Sequence, residues 1–138
     1  MAISVAGSES LPRFGLRPLR WRLAWLGVWL CGWMLAVALS LLDPAGLPPP
    51  PGSDKLGHLL AYALLAAWAA LIFRRGRPLA WALLGLLALG CGLELAQGWL
   101  TSTRAMEWLD AVANTLGVLL GGSLTLTRVP DWLAARFG

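Results

Sequence analysis

Four long apolar segments constrain the fold of this chain more than any other feature of its sequence. They cover residues 23–42, 56–73, 79–100 and 109–126, and each is bounded by charged, proline or aromatic residues. Their lengths are close to the roughly 20 residues that an α-helix needs to cross the hydrocarbon core of a bilayer. A backbone in hydrocarbon must satisfy its own hydrogen bonds, which helices do internally, and the period-2 alternation of a strand is absent. The sequence therefore predicts an all-α polytopic membrane protein with four transmembrane helices in a compact bundle.

The composition agrees with this fold class and favours a single domain. Apolar residues make up 58% of the 138 residues and charged residues 13%, and the mean hydropathy is +0.68. We predict a basic cytoplasmic arm at residues 1–22, a transmembrane domain at residues 23–127 and a short cytoplasmic tail at residues 128–138. Cys31 and Cys91 each lie inside an apolar segment and are expected to be small residues of the core.

The basic residues are distributed unequally between the two ends of the predicted bundle. Nine of the eleven lie before the first segment, between the second and third, or after the fourth: Arg13, Arg17, Arg20, Arg22, Arg74, Arg75, Arg77, Arg128 and Arg136. Only Lys55 and Arg104 lie at the other end. Because cytoplasmic loops carry an excess of Lys and Arg, both termini are predicted to face the cytoplasm from a bacterial inner membrane. Topology and anionic lipids then account for the net charge of +4, and no nucleic-acid partner is predicted.

Polar residues of three segments fall at one depth, near the predicted outer face. They are Asp54, Lys55, His58, Glu94, Gln97, Arg104, Asp110 and Asn114. Within each segment their spacing of three or four residues places them on one helix face. A charged side chain near a bilayer centre costs roughly 2.5 to 3.5 kcal/mol, so a residue such as Glu94 normally has a partner or a functional role, and we expect Glu94 to pair with Arg104 or His58. This mixture of charges predicts a site for an anion, a metal ion or a proton.

Two glycines continue the polar face of the fourth segment. Asp110, Asn114, Gly117 and Gly121 follow the helical spacing i, i+4, i+7, i+11. Small residues on such a face let the backbones of two membrane helices approach closely. We therefore expect a neighbouring helix to pack against Gly117 and Gly121 below the polar residues.

A purely structural role is the main alternative for several of the polar residues. Gln97 and Asn114 would then form interhelical hydrogen bonds, typically worth only about 0.6 kcal/mol each. A lone His58 would be an ordinary interfacial histidine. The sequence contains no CxxC, HExxH, Gly-rich phosphate loop or GxSxG motif, so those catalytic templates are excluded.

Three ordered motifs of the chain resemble the VanZ-like family of membrane proteins. The motifs are DKLGHLLAY at 54–62, ELAQ at 94–97 and RAMEWLDAVANTLGVLLGG at 104–122. They are similar to the family pattern D-K-x-x-H, then E-x-x-Q, then R-x5-D-x3-N-T-x-G. The family commonly has Phe at the position of Leu59 and a Pro-Gly turn at Ser102 and Thr103. The resemblance implies a small bundle of membrane helices and, for the founding member, a link to low-level resistance to teicoplanin-type glycopeptides.

Two classes of function remain open from the sequence. In the first, the site binds an anionic or lipid-linked envelope component, or a glycopeptide, and contributes to envelope maintenance or resistance. Arg104 and Lys55 would contact phosphate or carboxylate groups, because Arg and Lys are the usual partners of such anions. The ligand-binding residues of this hypothesis are Asp54, Lys55, Gln97 and Asn114.

In the second class, the protein is a membrane-embedded hydrolase or transferase that acts on a lipid-linked phosphate. His58 would be the general base, Glu94 the acid and Arg104 the stabiliser of the developing anion, with Asp110 in the same catalytic set. The sequence identifies no nucleophile and no cofactor. A divalent metal ion held by Glu94, Asp110 and His58 is a further hypothesis, which the ligand spacing does not support because the three residues lie on different helices. The sequence also leaves open whether the chain forms a homo-oligomer.

The predicted orientation can be tested by labelling single cysteines in intact cells. In a background without Cys31 and Cys91, cysteines at Ser53 and Thr103 should react with an impermeant thiol reagent added from outside. A cysteine at Gly76 should react only after the membrane is permeabilised. Labelling of the Gly76 position in intact cells would reverse the orientation.

Overall fold

The described part of the chain is entirely helical apart from turns and one isolated bridge. A computed structural model describes residues 15–41, 52–100 and 107–138, excluding the side chains of Gln97 and Leu100. The helices are α1 (Arg22–Leu41), α2 (Ser53–Ile72), α3 (Arg77–Leu100), α4 (Trp108–Gly122), which continues as a 3-10 turn over Ser123–Leu126, and α5 (Val129–Phe137). Four of them are long and apolar enough to cross a membrane. The predicted all-α bundle of a multi-pass membrane protein is confirmed.

Each observed membrane helix begins within a few residues of the start of its predicted segment. Turn residues determine where two of these helices start. Gly52 and Gly76 precede α2 and α3 with φ angles of +80° and +94°, a backbone conformation that glycine adopts without steric cost. Asp54 and Asp110 occupy the first turns of α2 and α4. A carboxylate is favourable there because the N-terminal end of a helix carries a partial positive charge. We call the end of the bundle at which α2 and α4 begin the polar end.

Helices α2 and α4 run parallel, with their first turns at the same level. Near the start of both helices, Lys55 lies 3.6 Å from Asp110. One turn further along, His58 is hydrogen-bonded to Asn114. The residue numbers of the contacting pairs rise together, so the two helices point in the same direction. Acidic and basic groups of their first turns therefore meet at the polar end.

Two glycines of α4 let it pack directly against the backbone of α2. A β-carbon added at Gly117 would lie 2.5 Å from the carbonyl oxygen of Leu59. One added at Gly121 would overlap the carbonyl oxygen of Ala63. Real β-carbons do not approach oxygen so closely, so a larger residue at either position would separate the helices. The close approach predicted for Gly117 and Gly121 is confirmed.

Helix α3 closes the bundle beside this helix pair, and α1 packs on its outside. A β-carbon at Gly90 of α3 would lie 3.1 Å from the amide nitrogen of Asn114, so glycine leaves room there for the Asn114 side chain. The indole nitrogen of Trp29 in α1 donates to the carbonyl oxygen of Leu65 in α2, at 2.9 Å. None of the polar residues predicted for the site belongs to α1, which contributes to packing.

A network around Arg17 joins the segment before α1 to the end opposite the polar end. The Arg17 backbone N–H donates to Ile72, and its buried side chain donates to the Phe73 carbonyl oxygen at 3.0 Å and to Asp131 at 2.7 Å. Arg75 also contacts Asp131, at 3.1 Å. Arg17 was predicted only as a topology signal, and the structure gives it a packing role as well.

Two features of the fold differ from what the sequence suggested. Cys31 and Cys91 are exposed on the surface of the bundle and are not core residues, so the prediction for them is wrong. Cysteine behaves as a small apolar residue, and a lipid-facing surface accepts it as readily as a core does. The predicted short tail contains α5, whose Pro130 is buried.

Replacing Gly121 with alanine should destabilise the bundle. The added methyl group has no space against α2, and overpacking of this kind costs about 1 to 3 kcal/mol. Gly92→Ala is the matched control, because nothing lies within 4 Å of a β-carbon at that helical position. Thermal unfolding of the purified variants in one detergent should show a lower Tm for Gly121→Ala and an unchanged or higher Tm for Gly92→Ala.

The ion pair of Arg17 with Asp131 should make stability depend on acid pH. The hydrogen bond from Arg17 lowers the pKa of Asp131 below its ordinary value, and the charge of Arg75 adds to this effect. A lowered pKa in the folded state stabilises the protein above the ordinary Asp pKa of about 3.9, and this stabilisation is lost as the pH falls through the lowered value. Asp131→Asn should therefore flatten the decline of Tm below about pH 4. Equal declines in the variant and the wild type would contradict this role.

Candidate functional site

The polar residues of α2, α3 and α4 lie at a common depth below the polar end. His58 is five residues from the start of α2, Asn114 is six residues from the start of α4, and Glu94 is six residues from the end of α3. At a rise of 1.5 Å per residue, these offsets correspond to about 7 to 9 Å. The three helices therefore place imidazole, amide and carboxylate groups in one layer of the bundle.

A hydrogen bond across the interface of α2 and α4 fixes the ring of His58. Its Nδ1 lies 3.0 Å from the Oδ1 of Asn114, and both side chains are buried. With the amide oxygen of Asn114 turned toward the ring, Nδ1 is the donor of this hydrogen bond, because an amide oxygen can only accept. In the neutral ring, Nε2 is then left with a free lone pair.

Lys55 is held between two carboxylates at the mouth of the site. Its ammonium group donates to Glu107 at 2.6 Å and lies 3.6 Å from the Oδ1 of Asp110. The Lys55–Glu107 pair is exposed, whereas the Asp110 side chain is only 6% exposed. The buried carboxylate of Asp110 therefore has a nearby positive charge but makes no hydrogen bond through Oδ1 within the described residues.

Two carboxylates face the free nitrogen of His58. Its Nε2 lies 3.9 Å from an oxygen of Asp54 and 3.9 Å from an oxygen of Asp110. Both distances are too long for a hydrogen bond. These three residues each offer a possible metal ligand, and the three ligand atoms lie within 4.8 Å of one another. They are the residues of the described chain that could together hold a metal ion.

Below this group, several buried polar atoms have no hydrogen-bond partner within residues 15–41, 52–100 and 107–138. They are both carboxylate oxygens of Glu94, the hydroxyl of Tyr62, the Oδ1 of Asp110 and the amide nitrogen of Asn114. Glu94 and Tyr62 are 3% and 1% exposed. Glu94 interacts electrostatically with Tyr62 and also with Asp110, His58 and Asp54. The backbone N–H of Glu107 also approaches the Glu94 carboxylate, but not in hydrogen-bonding geometry. Buried polar groups are normally paired, so this concentration of unpaired groups at one level marks a place for a ligand, water or ion.

The structure thus brings together six of the eight residues that the sequence assigned to the site. These are Asp54, Lys55, His58, Glu94, Asp110 and Asn114. The side chain of Gln97 and all of Arg104 lie outside the described residues. His58 was considered as a direct partner of Glu94, but its described hydrogen bond is to Asn114. The metal hypothesis grouped Glu94 with His58 and Asp110, whereas the structure groups Asp54 with them.

Three further residues lie in or beside the site. The sequence places Tyr62 and Glu107 among the polar residues at this level without giving them a role, and Gly90 was not singled out. Glu107 precedes Asp110 by three residues, Tyr62 follows His58 by four, and Gly90 precedes Glu94 by four. Each therefore shares a helix face with a predicted site residue. This spacing was the available signal, but the pairing of Glu107 with Lys55 depends on the packing of α4 against α2.

No protein-family model matches the chain, and no curated protein or solved structure matches it either. The function must therefore be inferred from the geometry and chemistry of the site.

Proposed function

We propose that this integral membrane protein binds an anionic or lipid-linked component of the cell envelope at its polar end. The unpaired buried groups of Glu94, Tyr62 and Asn114 carry the proposal. Leaving such groups unsatisfied in an apolar bundle is costly, and a bound polar ligand would remove that cost. The three residues lie about one and a half to two and a half helical turns below the ends of their helices. This depth suits the head group of a molecule whose chain lies in the bilayer.

The unpaired groups suit a ligand that both donates and accepts hydrogen bonds. The Tyr62 hydroxyl and the Asn114 amide can donate, and the Glu94 carboxylate can accept. A sugar or amine group on the ligand would donate to Glu94, while a phosphate would accept from Asn114 and Lys55. Arg104, which the sequence places at the same level, would supply a second cationic contact.

The orientation and the cellular role belong to the same proposal. The distribution of basic residues supports an outward-facing polar end in a bacterial inner membrane, with both termini in the cytoplasm. The resemblance of the three motifs to the VanZ-like family supports a role in envelope maintenance or in resistance to teicoplanin-type glycopeptides. Both roles would use the site to engage a molecule from the outer leaflet.

The geometry of His58 favours one alternative, a hydrolase or transferase for a lipid-linked phosphate. Asn114 fixes the Nδ1 proton, so Nε2 is free to accept a proton from a water molecule or hydroxyl group. The carboxylates of Asp54 and Asp110, each 3.9 Å away, would stabilise the resulting imidazolium. Release of inorganic phosphate from a polyprenyl phosphate would identify this activity, whereas binding without turnover would support the first function.

The binding proposal predicts a defined loss of affinity in two variants. We expect Glu94→Gln and Arg104→Ala to bind a short-chain polyprenyl phosphate that carries an amino sugar at least about tenfold more weakly, since the amino sugar would donate to Glu94, the phosphate would accept from Arg104, and hydrogen bonds to charged groups contribute about 1.5 to 3 kcal/mol. Binding can be measured by isothermal titration calorimetry with the purified full-length protein in nanodiscs. Arg128→Ala is the control for charge, because Arg128 is exposed beside α5 at the opposite end of the bundle.

The thermal stability of each variant must be measured together with its binding. Glu94→Gln keeps the shape of the side chain and should remain folded, so that weaker binding reports on the site. If Glu94→Gln binds like the wild type while Glu94→Leu fails to accumulate, Glu94 is a packing residue and the proposal is wrong.

A further inference from the structure

We propose that Asp54, His58 and Asp110 form a binding site for one divalent transition-metal ion at the polar end. The ion would be of the Zn²⁺ or Mn²⁺ type, and its remaining coordination positions would take a phosphate or carboxylate oxygen of the ligand. The metal site stands on its own geometry, and only this second step rests on the proposed function.

The first support is the tautomer of His58. Metal-binding histidines usually donate their other ring N–H to an oxygen, which fixes the ring and leaves a lone pair on the ligating nitrogen. Here Nδ1 donates to Asn114, and Nε2 is the nitrogen that faces the carboxylates. Asn114 would therefore orient the ligand without touching the ion.

The second support is the spacing of the three groups. Nε2 lies 3.9 Å from one oxygen of Asp54 and 3.9 Å from one oxygen of Asp110. Two ligands of the same ion, each about 2.1 Å from it, are about 3.0 to 3.4 Å apart in octahedral or tetrahedral geometry. The two His58 distances must each shorten by about 0.5 to 0.9 Å, and the three ligand atoms now lie within 4.8 Å of one another. Rotation of the exposed Asp54 side chain can supply one of these shifts, and a small movement of the buried Asp110 side chain must supply the other.

The third support is an excess of negative charge that the described residues do not balance. Asp54, Asp110 and Glu107 contribute three carboxylates, and among the described residues Lys55 is the lysine or arginine that pairs with two of them, Glu107 and Asp110. Glu94, which is 3% exposed, has no hydrogen-bond partner for either oxygen and interacts electrostatically with Asp110, His58 and Asp54. A cation bound by Asp54, His58 and Asp110 would reduce the repulsion between the Glu94 carboxylate and the two aspartates.

The chemistry of the ligands selects the type of ion. Imidazole suits Zn²⁺ and related transition metals, whereas Mg²⁺ and Ca²⁺ prefer sites made only of oxygen ligands. Three protein ligands leave at least one position open, as in catalytic zinc sites. Asp54 is 45% exposed, so the ion and a ligand oxygen can enter from the polar end.

The metal site can be tested by calorimetry without any lipid ligand. Tag-free full-length protein, treated with EDTA and then freed of it, is titrated with Zn²⁺ alone and with Mn²⁺ alone. We expect the wild type to bind one ion per chain. Asp54→Asn should bind the ion at least about tenfold more weakly, because even the replacement of a residue that supports a metal ligand lowers metal affinity by about this factor. Absence of a one-to-one site for either ion in the wild type would overturn the proposal.

Glu107→Gln is the matched control because it removes the same charge from the same end of the bundle. The side chains of Asp54 and Glu107 are 45% and 51% exposed, but Glu107 pairs with Lys55 and is not one of the three ligands. Its replacement should change metal affinity less than about fivefold, the scale of an exposed charge interaction. Equal losses in Asp54→Asn and Glu107→Gln would show general attraction to an acidic surface and would overturn the specific site.

A second titration separates this inference from the proposed function. The wild type is titrated with a short-chain polyprenyl phosphate after EDTA treatment and again with one equivalent of Zn²⁺. We expect tighter phosphate binding with Zn²⁺, and no such gain in Asp54→Asn. One-to-one Zn²⁺ binding without any phosphate binding would retain the metal site and reject the proposed ligand, whereas phosphate binding that is indifferent to Zn²⁺ would reject the bridging role.

Discussion

The close approach of α4 to α2 at Gly117 and Gly121 is the contact on which the rest of the bundle depends. Without β-carbons, the two backbones meet directly, and the parallel helices keep one fixed register. That register sets Asp110 beside Lys55 and Asn114 beside His58. A change of one residue in register would turn Asn114 through about 100° and remove the hydrogen bond that orients the His58 ring. The glycines therefore position the polar site as well as packing the helices.

The two ends of the bundle use charge in different ways. At one end, Arg17 is held by the Phe73 carbonyl oxygen and by Asp131, and these bonds tie α5 and the segment before α1 to the turn between α2 and α3. At the polar end, Glu94 and Tyr62 are buried without hydrogen-bond partners in the described chain. Buried groups that are paired stabilise a fold, whereas groups left unpaired are available to bind another molecule. The bonds of Arg17 therefore connect three segments of the chain, although its Nη2 is also buried without a partner in the described residues, whereas most of the buried unpaired atoms lie toward the polar end.

Much of the site could be predicted because helical spacing is visible in the sequence. The spacing of Asp54 and His58, and that of Asp110 and Asn114, defines two helix faces, and the cost of burying Glu94 indicates that a third face turns inward. The partners could not be predicted in the same way. Glu94 was expected to pair with Arg104 or His58. Arg104 lies outside the described residues, and His58 attracts Glu94 electrostatically but is hydrogen-bonded to Asn114. Asp54 completes the potential metal ligands. Such pairings depend on helix rotations of a few tens of degrees, which no spacing along one helix specifies.

The sequence by itself determined the fold class, the four membrane helices and the faces that carry polar residues. It did so because apolar length and helical period are properties of each segment alone. Tertiary packing sets the outward position of Cys31 and Cys91 and the bond of Arg17 to Asp131 across most of the chain. In a membrane both the core and the lipid-facing surface are apolar, so hydrophobicity does not distinguish them. The contacts between helices make that distinction, and they also fix which polar groups have partners and which do not.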